Sequence, residues 1–197
     1  MSSATAKPKL AEGLSPISPS RHLFSVETFN AMTEAGIFTE DDRLELLDGE
    51  IIEMTPVGTR HSSCVRLLTY LLSQATKNAL DVQNPLILNG SSEVYPDLAV
   101  LKEAPQTYTK RKPNSEDVLL LVEVSDSTLH FDRTTKLPRY AAAGVPEVWI
   151  VDLQNERILT HKRPLDGVYG EVNEYKCGDK LSLEVLEASF EVAEILP

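Results

Sequence analysis

Three side chains of this sequence, Asp97, Glu123 and Lys136, could act together on one substrate. Glu123 lies in the stretch Val118 to Thr128, VLLLVEVSDST, whose first seven residues are otherwise apolar. An unbroken apolar run of strand length, followed at once by small polar residues, predicts a central strand buried on both faces. Alternation along that strand puts Leu119, Leu121, Glu123 and Ser125 on one face. A carboxylate there is costly to hold ionised unless a cation or a hydrogen-bond network compensates it. Asp97 has a comparable place: Asn89-Gly90 marks a turn, Pro96 opens a strand, and Asp97 precedes the run Leu98 to Leu101. Two carboxylates on adjoining strands repel unless a divalent cation holds them. Oxygen donors without a Cys or His cluster favour Mg2+ or Mn2+ over zinc. An ammonium nearby, such as Lys136, can orient or help deprotonate a water, or stabilise the charge that develops on a phosphate. The chemistry that suits this set is metal-assisted hydrolysis of a phosphodiester. The spacing also admits a plain structural reading, an ion pair and a cap.

The elements that must position these groups can be read in order. At 197 residues, 42% hydrophobic and 25% charged, the chain has the size and composition of one globular domain with a proper core. Residues 1–20 are rich in Ser, Ala and Pro without periodicity and are expected to be a disordered leader, with the domain spanning 21–197. Phe29, Met32 and Ala35 recur at helical spacing and Gly36 closes that helix. Asp48-Gly49 joins two short strand-like runs into a hairpin. Glu45 and Glu50 sit on it, where glutamates are usually solvated. From Thr59 to about Ala79 the stripe Cys64, Leu67, Leu68, Leu71, Leu72 and Ala75 predicts a helix laid on a sheet, with His61 near the buried side of its first turn. A histidine there serves packing, or function if the helix terminus lowers its pKa. Residues 81–88 suggest one strand. Lys110, Arg111 and Lys112 form either a solvated loop or a phosphate-contacting patch. After the central strand comes a helix, with Pro138 forcing a late start or a bend, and Arg133, Lys136 and Tyr140 on one face. A strand at Val148–Val151, further strands with a hairpin at Asp166-Gly167, and a short apolar segment complete the chain.

The bulk properties limit the function classes. The net charge of −11 opposes non-specific attraction to phosphate backbones, so a nucleic-acid role needs a local basic surface or a metal. No apolar run approaches the roughly 20 residues of a membrane span. The N-terminus lacks the pattern of a secretory signal, and Cys64 and Cys177 have neither metal-binding nor disulfide-framework spacing. A cytoplasmic protein without a membrane partner is expected.

The segments RLELLDGEIIEMTPVGTRHSS, YPDLAVL, DVLLLVEVSDST and FDRTTKLPRYAAAGVPEVWIVDL, in that order, resemble the Uma-type family of restriction-endonuclease-like proteins, within the PD-(D/E)XK superfamily. The resemblance runs from about residue 23 to the C-terminus. It implies an α/β (α+β) fold, with an αβββαβ core, a mixed sheet, an N-terminal hairpin and C-terminal strands. It also implies that Pro96-Asp97 is the "PD" pair and Glu123 the second acid. Asp97 and Glu123 would then bind Mg2+ (or Mn2+), and Glu123 would position the attacking water. Ser125 stands where the superfamily's lysine is expected; Lys136, on the following helix, would reach back to the same space, as a relocated lysine does in some relatives. His61 and Glu45 match recurrent positions of the family.

Three functions follow from this sequence. The first is a magnesium-dependent endonuclease acting on DNA, as a homodimer because cutting both strands suits two-fold symmetry. The second is a nuclease-fold module with a weak or inactive site, serving in binding or regulation, which Ser125 and the acidic charge favour. The third, a glycosidase using two carboxylates, is opposed by an aromatic content of only 6%.

Overall fold

A computed structural model describes residues 20–39 and 41–196; the leader expected at 1–20 lies outside the described residues but for Ser20. The elements run α1 (Val26–Glu34), β1 (Leu44–Leu47), β2 (Glu50–Glu53), α2 (Thr59–Ala75), β3 (Leu80–Val82), β4 (Leu86–Asn89), β5 (Ser92–Val94) and β6 (Leu98–Leu101). There follow β7 (Val118–Ser125), α3 (Leu129–Phe131), a π-helical turn at Asp132–Lys136, α4 (Leu137–Ala142), β8 (Glu147–Asp152), β9 (Arg157–Leu165) and β10 (Val168–Lys176). The chain closes with β11 (Lys180–Leu183), β12 (Ala188–Glu191) and α5 (Val192–Ile195).

The framework is a six-stranded mixed sheet ordered β10-β9-β8-β7-β6-β3, with β7 central as the sequence predicts. Only the β7–β8 pair is parallel, and α3, the π turn and α4 make the crossover between them. The αβββαβ core is thus α2, β3, β6, β7, the broken helix and β8. One sheet face carries Leu120, Val122, Val124, Trp149 and Val151, packed by Cys64, Val65, Leu68 and Leu72 of α2 and by the C-terminal segments. The other face, with Leu121, Val148 and Ile150, is covered by Tyr140 of α4 and by a second, four-stranded sheet, β2-β1-β5-β4. α1 seals that second sheet by packing Val26 and Phe29 on Leu46 of β1.

Several expectations change at this level. Residues 81–88 are not one strand but the ends of two, β3 in the large sheet and β4 in the small one, because Pro85 interrupts between them. The N-terminal hairpin is extended by β5 and β4 into the second sheet. α2 stops at Ala75 rather than near Ala79, and Thr76 is extended. Leu67 lies at the border of its stripe and is partly exposed, while Val65 joins the buried side. The register of β6 on β7 shifts between Val100 and Leu101, so Leu119 packs on the α2 face instead of sharing the face of Glu123. At the Asp48-Gly49 hairpin both residues have positive φ, and a Cβ on Gly49 would sit 2.7 Å from Leu23 Cβ.

Candidate active site

β6 and β7 run antiparallel with Leu98 opposite Val122, so Asp97, just before β6, lies beside the end of β7 that carries Glu123. Asp97, Glu123, Lys136, His61 and Glu45 all line one cleft of about 540 Å³, whose floor is this end of the sheet.

The two acids are held from opposite layers. Asp97 Oδ2 accepts the Val124 backbone N–H at 2.8 Å and lies 3.0 Å from His61 Nε2, and Gln83 donates to Oδ1 at 3.1 Å. His61 reaches it because residues 61, 64, 65, 68 and 72 share the buried face of α2, so the helix that packs on the sheet also brings an imidazole to its end. With Nε2 on Asp97, His61 Nδ1 is buried and has no hydrogen-bond partner. Glu123 is held from the other layer: Lys136 Nζ donates to Oε1 at 3.3 Å, and Tyr140 donates its hydroxyl to the same oxygen. Among the described residues, no hydrogen bond reaches Glu123 Oε2.

Lys136 also lies 3.1 Å from Glu45 Oε2. That separation is an ion pair without hydrogen-bond alignment, for the oxygen has no hydrogen-bond partner. The side chains of Lys136, Glu45 and Glu123 are only 7%, 2% and 5% exposed. The solvated hairpin glutamate expected at position 45 is instead fully buried, because β1 is covered on both faces. Glu50 does remain at the surface, paired with Arg21. Burial pushes the Glu123 carboxyl up to about 8; Asp132 and Asp97 push the same way, while Lys136 and Tyr140 oppose. Burial works against the Lys136 ammonium, but the attraction of Glu123, Glu45 and Asp132 outweighs it and holds the group above its ordinary range. The amine is therefore a fixed cation, and the Glu123 carboxyl is held well above the ordinary carboxylate range.

Sequence reasoning places Tyr140 on the face of Lys136 but gives it no part in the site, and it misses Asp132 altogether. The broken helix explains the omission. Its π turn inserts an extra residue, so that Asp132, not Arg133, stacks with Lys136 and Tyr140 on the inward face, and Arg133 is exposed. Leu137 N–H bonds back to Asp132 O across that turn, just ahead of Pro138, which has no N–H to give. The Arg139 guanidinium donates to the Thr135 carbonyl on the same stretch. Ser125, in the place of the strand lysine, donates to Asp132 Oδ2 at 2.8 Å, and Thr128 donates to the same oxygen at 2.6 Å. Burial raises the Asp132 carboxyl, against those hydroxyl bonds and Lys136. A polar residue four positions before Lys136 was the available signal.

The loop cations noted at 110–112 are largely committed elsewhere. Arg111 pairs with Asp117 at 2.6 Å and stacks over Tyr108, and Lys112 is 2.7 Å from the buried Glu93. Lys112 therefore ties the loop to the small sheet and Arg111 braces the loop on itself, and neither offers a free phosphate patch.

The cleft is strongly acidic. Six carboxylic side chains line it, from Glu45, Glu53, Asp97, Glu123, Asp126 and Asp132, against two permanent cations, Arg43 and Lys136. A phosphodiester entering unaided would meet net repulsion. Among the described residues no three His, Cys, Asp or Glu side chains form a preassembled metal cage. Magnesium does not require one, since it retains several waters and binds through one or two carboxylates. An acid-rich pocket with hard oxygen donors, one of them the unpartnered Glu123 Oε2, fits such an ion.

A family model described as "Uma2: Putative restriction endonuclease" matches residues 26–194. Among solved structures, a putative nuclease belonging to DUF820 from Anabaena variabilis ATCC 29413 superposes with a TM-score of 0.59 at 12% identity, over 84% of this chain and 96% of that one. At that identity the likeness is one of fold. No curated protein matches the chain. No helix among the described residues is long and apolar enough to cross a membrane.

Proposed function

The chain belongs to the Uma2 family, and from that premise we propose that it is a metal-dependent nuclease that hydrolyses phosphodiester bonds of DNA. The observation that carries the reading is the convergence of Asp97, Glu123 and Lys136 on one acid-lined cleft at the end of β7. Asp97 and Glu123 would hold the cation, Mg2+ or Mn2+. When bound, the ion offsets the repulsion between the acids and the phosphate and supplies Lewis acidity at the scissile phosphorus.

The chain's own groups divide the remaining work. His61, Gln83 and the Val124 amide fix the Asp97 carboxylate, leaving it little rotamer freedom. Tyr140 and Lys136 fix Oε1 of Glu123, so its Oε2 is the oxygen left to face a ligand or accept a proton from water. Lys136 supplies the positive charge that Ser125 cannot, and Glu45 acts on it as a positioning residue by holding the amine against Glu123. Nicking one strand needs one such site; a two-fold homodimer is required only for paired cuts in a duplex. The free thiols of Cys64 and Cys177 accord with the cytoplasm as the place of action.

The second reading, a nuclease fold kept for binding or regulation, is favoured by Ser125 and by the net charge of −11, and one experiment separates the two. Plasmid nicking is followed with added Mg2+ for the wild type and Asp97→Ala, alongside calorimetric Mg2+ titration. The enzyme reading expects nicking and site-specific ion binding in the wild type and the loss of both in the variant. Ion binding or nicking that survives Asp97→Ala defeats it, and an inert wild type leaves the binding module.

A further inference from the structure

Next to the acidic cleft a second hollow, of about 560 Å³, runs along α2, and Arg43 and Val57 line both. Its character is the reverse of the cleft's. Arg43, Arg66 and Tyr70 line it together with Ser62 and Thr69, and no carboxylate does. Among the described residues neither arginine has an ion-pair partner, whereas Arg111, Arg139 and Arg157 are each bound to an acid. On a chain of net charge −11, two uncommitted guanidinium groups beside the site are a local exception to the surrounding field.

Ser62, Arg66 and Tyr70 follow one another at four-residue intervals and so stand in line on one face of α2. Ser62 and Thr69 give their hydroxyl hydrogens to carbonyls of their own helix, which leaves the arginines to attract an anion. Tyr70 is 65% exposed, so its ring is open beside that cation instead of filling the core. The amide of Gln83, at the same hollow, already gives one N–H to Asp97. The hollow thus offers positive charge and an aromatic face, and little with which to read base edges.

We propose that this hollow is the track along which a nucleic-acid strand with unpaired bases runs into the cleft, with Arg43 and Arg66 on its phosphates and Tyr70 stacked on a base. The proposal rests on the nuclease reading of the cleft and names the substrate class within it. Stacking on a side chain requires a base face that a duplex keeps covered, and it tolerates any sequence. The cleft has the volume of a small-ligand pocket, and its reactive side chains are almost fully screened. A strand freed of its complement enters such a recess, while a B-form duplex meets it only at the rim. One strand in one cleft also removes the need for a two-fold partner.

The test is fluorescence anisotropy of the full chain with a labelled oligothymidylate and with a blunt duplex of equal length, both with Ca2+ in place of Mg2+, so that a divalent ion still offsets the acids of the cleft while its weaker Lewis acidity suppresses cleavage. The wild type is expected to bind the single strand more tightly than the duplex. Tyr70→Ala should weaken single-strand binding by roughly 5- to 150-fold, with Tyr70→Phe retaining it. Arg43→Gln combined with Arg66→Gln should flatten the plot of log affinity against log salt by about 1.4. Arg163→Gln, on the β9–β10 hairpin, should behave as wild type, and circular dichroism melts check that all variants fold. Equal affinity for the two nucleic acids, no binding, or single-strand binding untouched in the Tyr70→Ala or double arginine variant overturns the proposal. Should binding follow the expected pattern while Mg2+-dependent nicking is absent, the strand track stands and the nuclease reading alone fails.

Discussion

Replacing Lys136 by Met keeps most of the buried stem and removes only the charge. The ammonium stands 3.1 Å from Glu45 and 3.3 Å from Glu123, and all three side chains are at most 7% exposed. Taking one partner from a buried ionic group costs about 3–5 kcal/mol, because the remaining charge is left without compensation. The structure places the expected loss near the lower bound. Glu123 keeps the hydroxyl bond of Tyr140 when the amine is lost, whereas Glu45 Oε2 has no other partner, so the penalty falls on Glu45. A loss of about 3 kcal/mol corresponds to a melting temperature lower by roughly 6–12 °C for a chain of this size. Trp149, the single tryptophan, is fully buried and reports unfolding in urea by its fluorescence. Adding Glu45→Gln to Lys136→Met removes the stranded charge and should restore about 0.5–3 kcal/mol, the coupling typical of residues in contact. Nicking should stay lost in both variants, which divides the stability role from the catalytic one. A Lys136→Met protein with the wild-type urea midpoint would refute the reasoning, as would a double variant no more stable than the single.

The raised Glu123 carboxyl fixes a pH dependence. The folded state keeps a proton that the unfolded chain releases above about 4.5, so this group's contribution to stability is full below that pH and is lost as pH rises to about 8. The slope approaches 1.4 kcal/mol per pH unit inside the window and should be flattened in Glu123→Gln; urea midpoints that fall with pH alike in both proteins would contradict the assignment. Tyr140→Phe removes a hydrogen bond to Glu123 that holds the carboxyl down, so it should cost about 1.5–3 kcal/mol and extend the same window to higher pH. A pH profile that does not move would mean that the hydroxyl serves only packing. For Gly49→Ala, a positive φ and a Cβ only 2.7 Å from Leu23 Cβ predict a loss of more than 1 kcal/mol in thermal unfolding, and an unchanged melt would show that the hairpin adopts another turn.

What the sequence made legible depended on the range of the interaction. β7 announced itself because a strand covered on both faces must be apolar throughout, and an acid inside such a run has to be explained. Asp97 and Glu123 were visible for that reason, and Lys136 because Ser125 left a charge missing. His61 was legible as a helical phase, since its position relative to Leu68 puts it on the buried side of α2. The small sheet was not legible: β1 pairs with β5 across more than forty residues, and no local pattern encodes that contact. Its absence from the sequence reading is why Glu45 looked solvated. Asp132 was passed over because a helix of regular pitch offers both Asp132 and Arg133 as neighbours of Lys136, and the π turn selects the former. Local periodicity shows which side chains a regular element buries, and it is blind to the extra residue that re-aims them.

The anchoring of Lys136 between the two sheets has a consequence for how the protein comes to be. Its acid partners, Glu45 and Glu123, belong to different layers and lie 78 positions apart in the chain, so the amine is seated only once the layers have closed on each other. A half-assembled molecule, with its small sheet still loose, would hold the acids but not the poised amine. Under the role proposed for Lys136, full seating of the amine and competence for hydrolysis would coincide, and a chain whose two sheets had not yet met would lack activity.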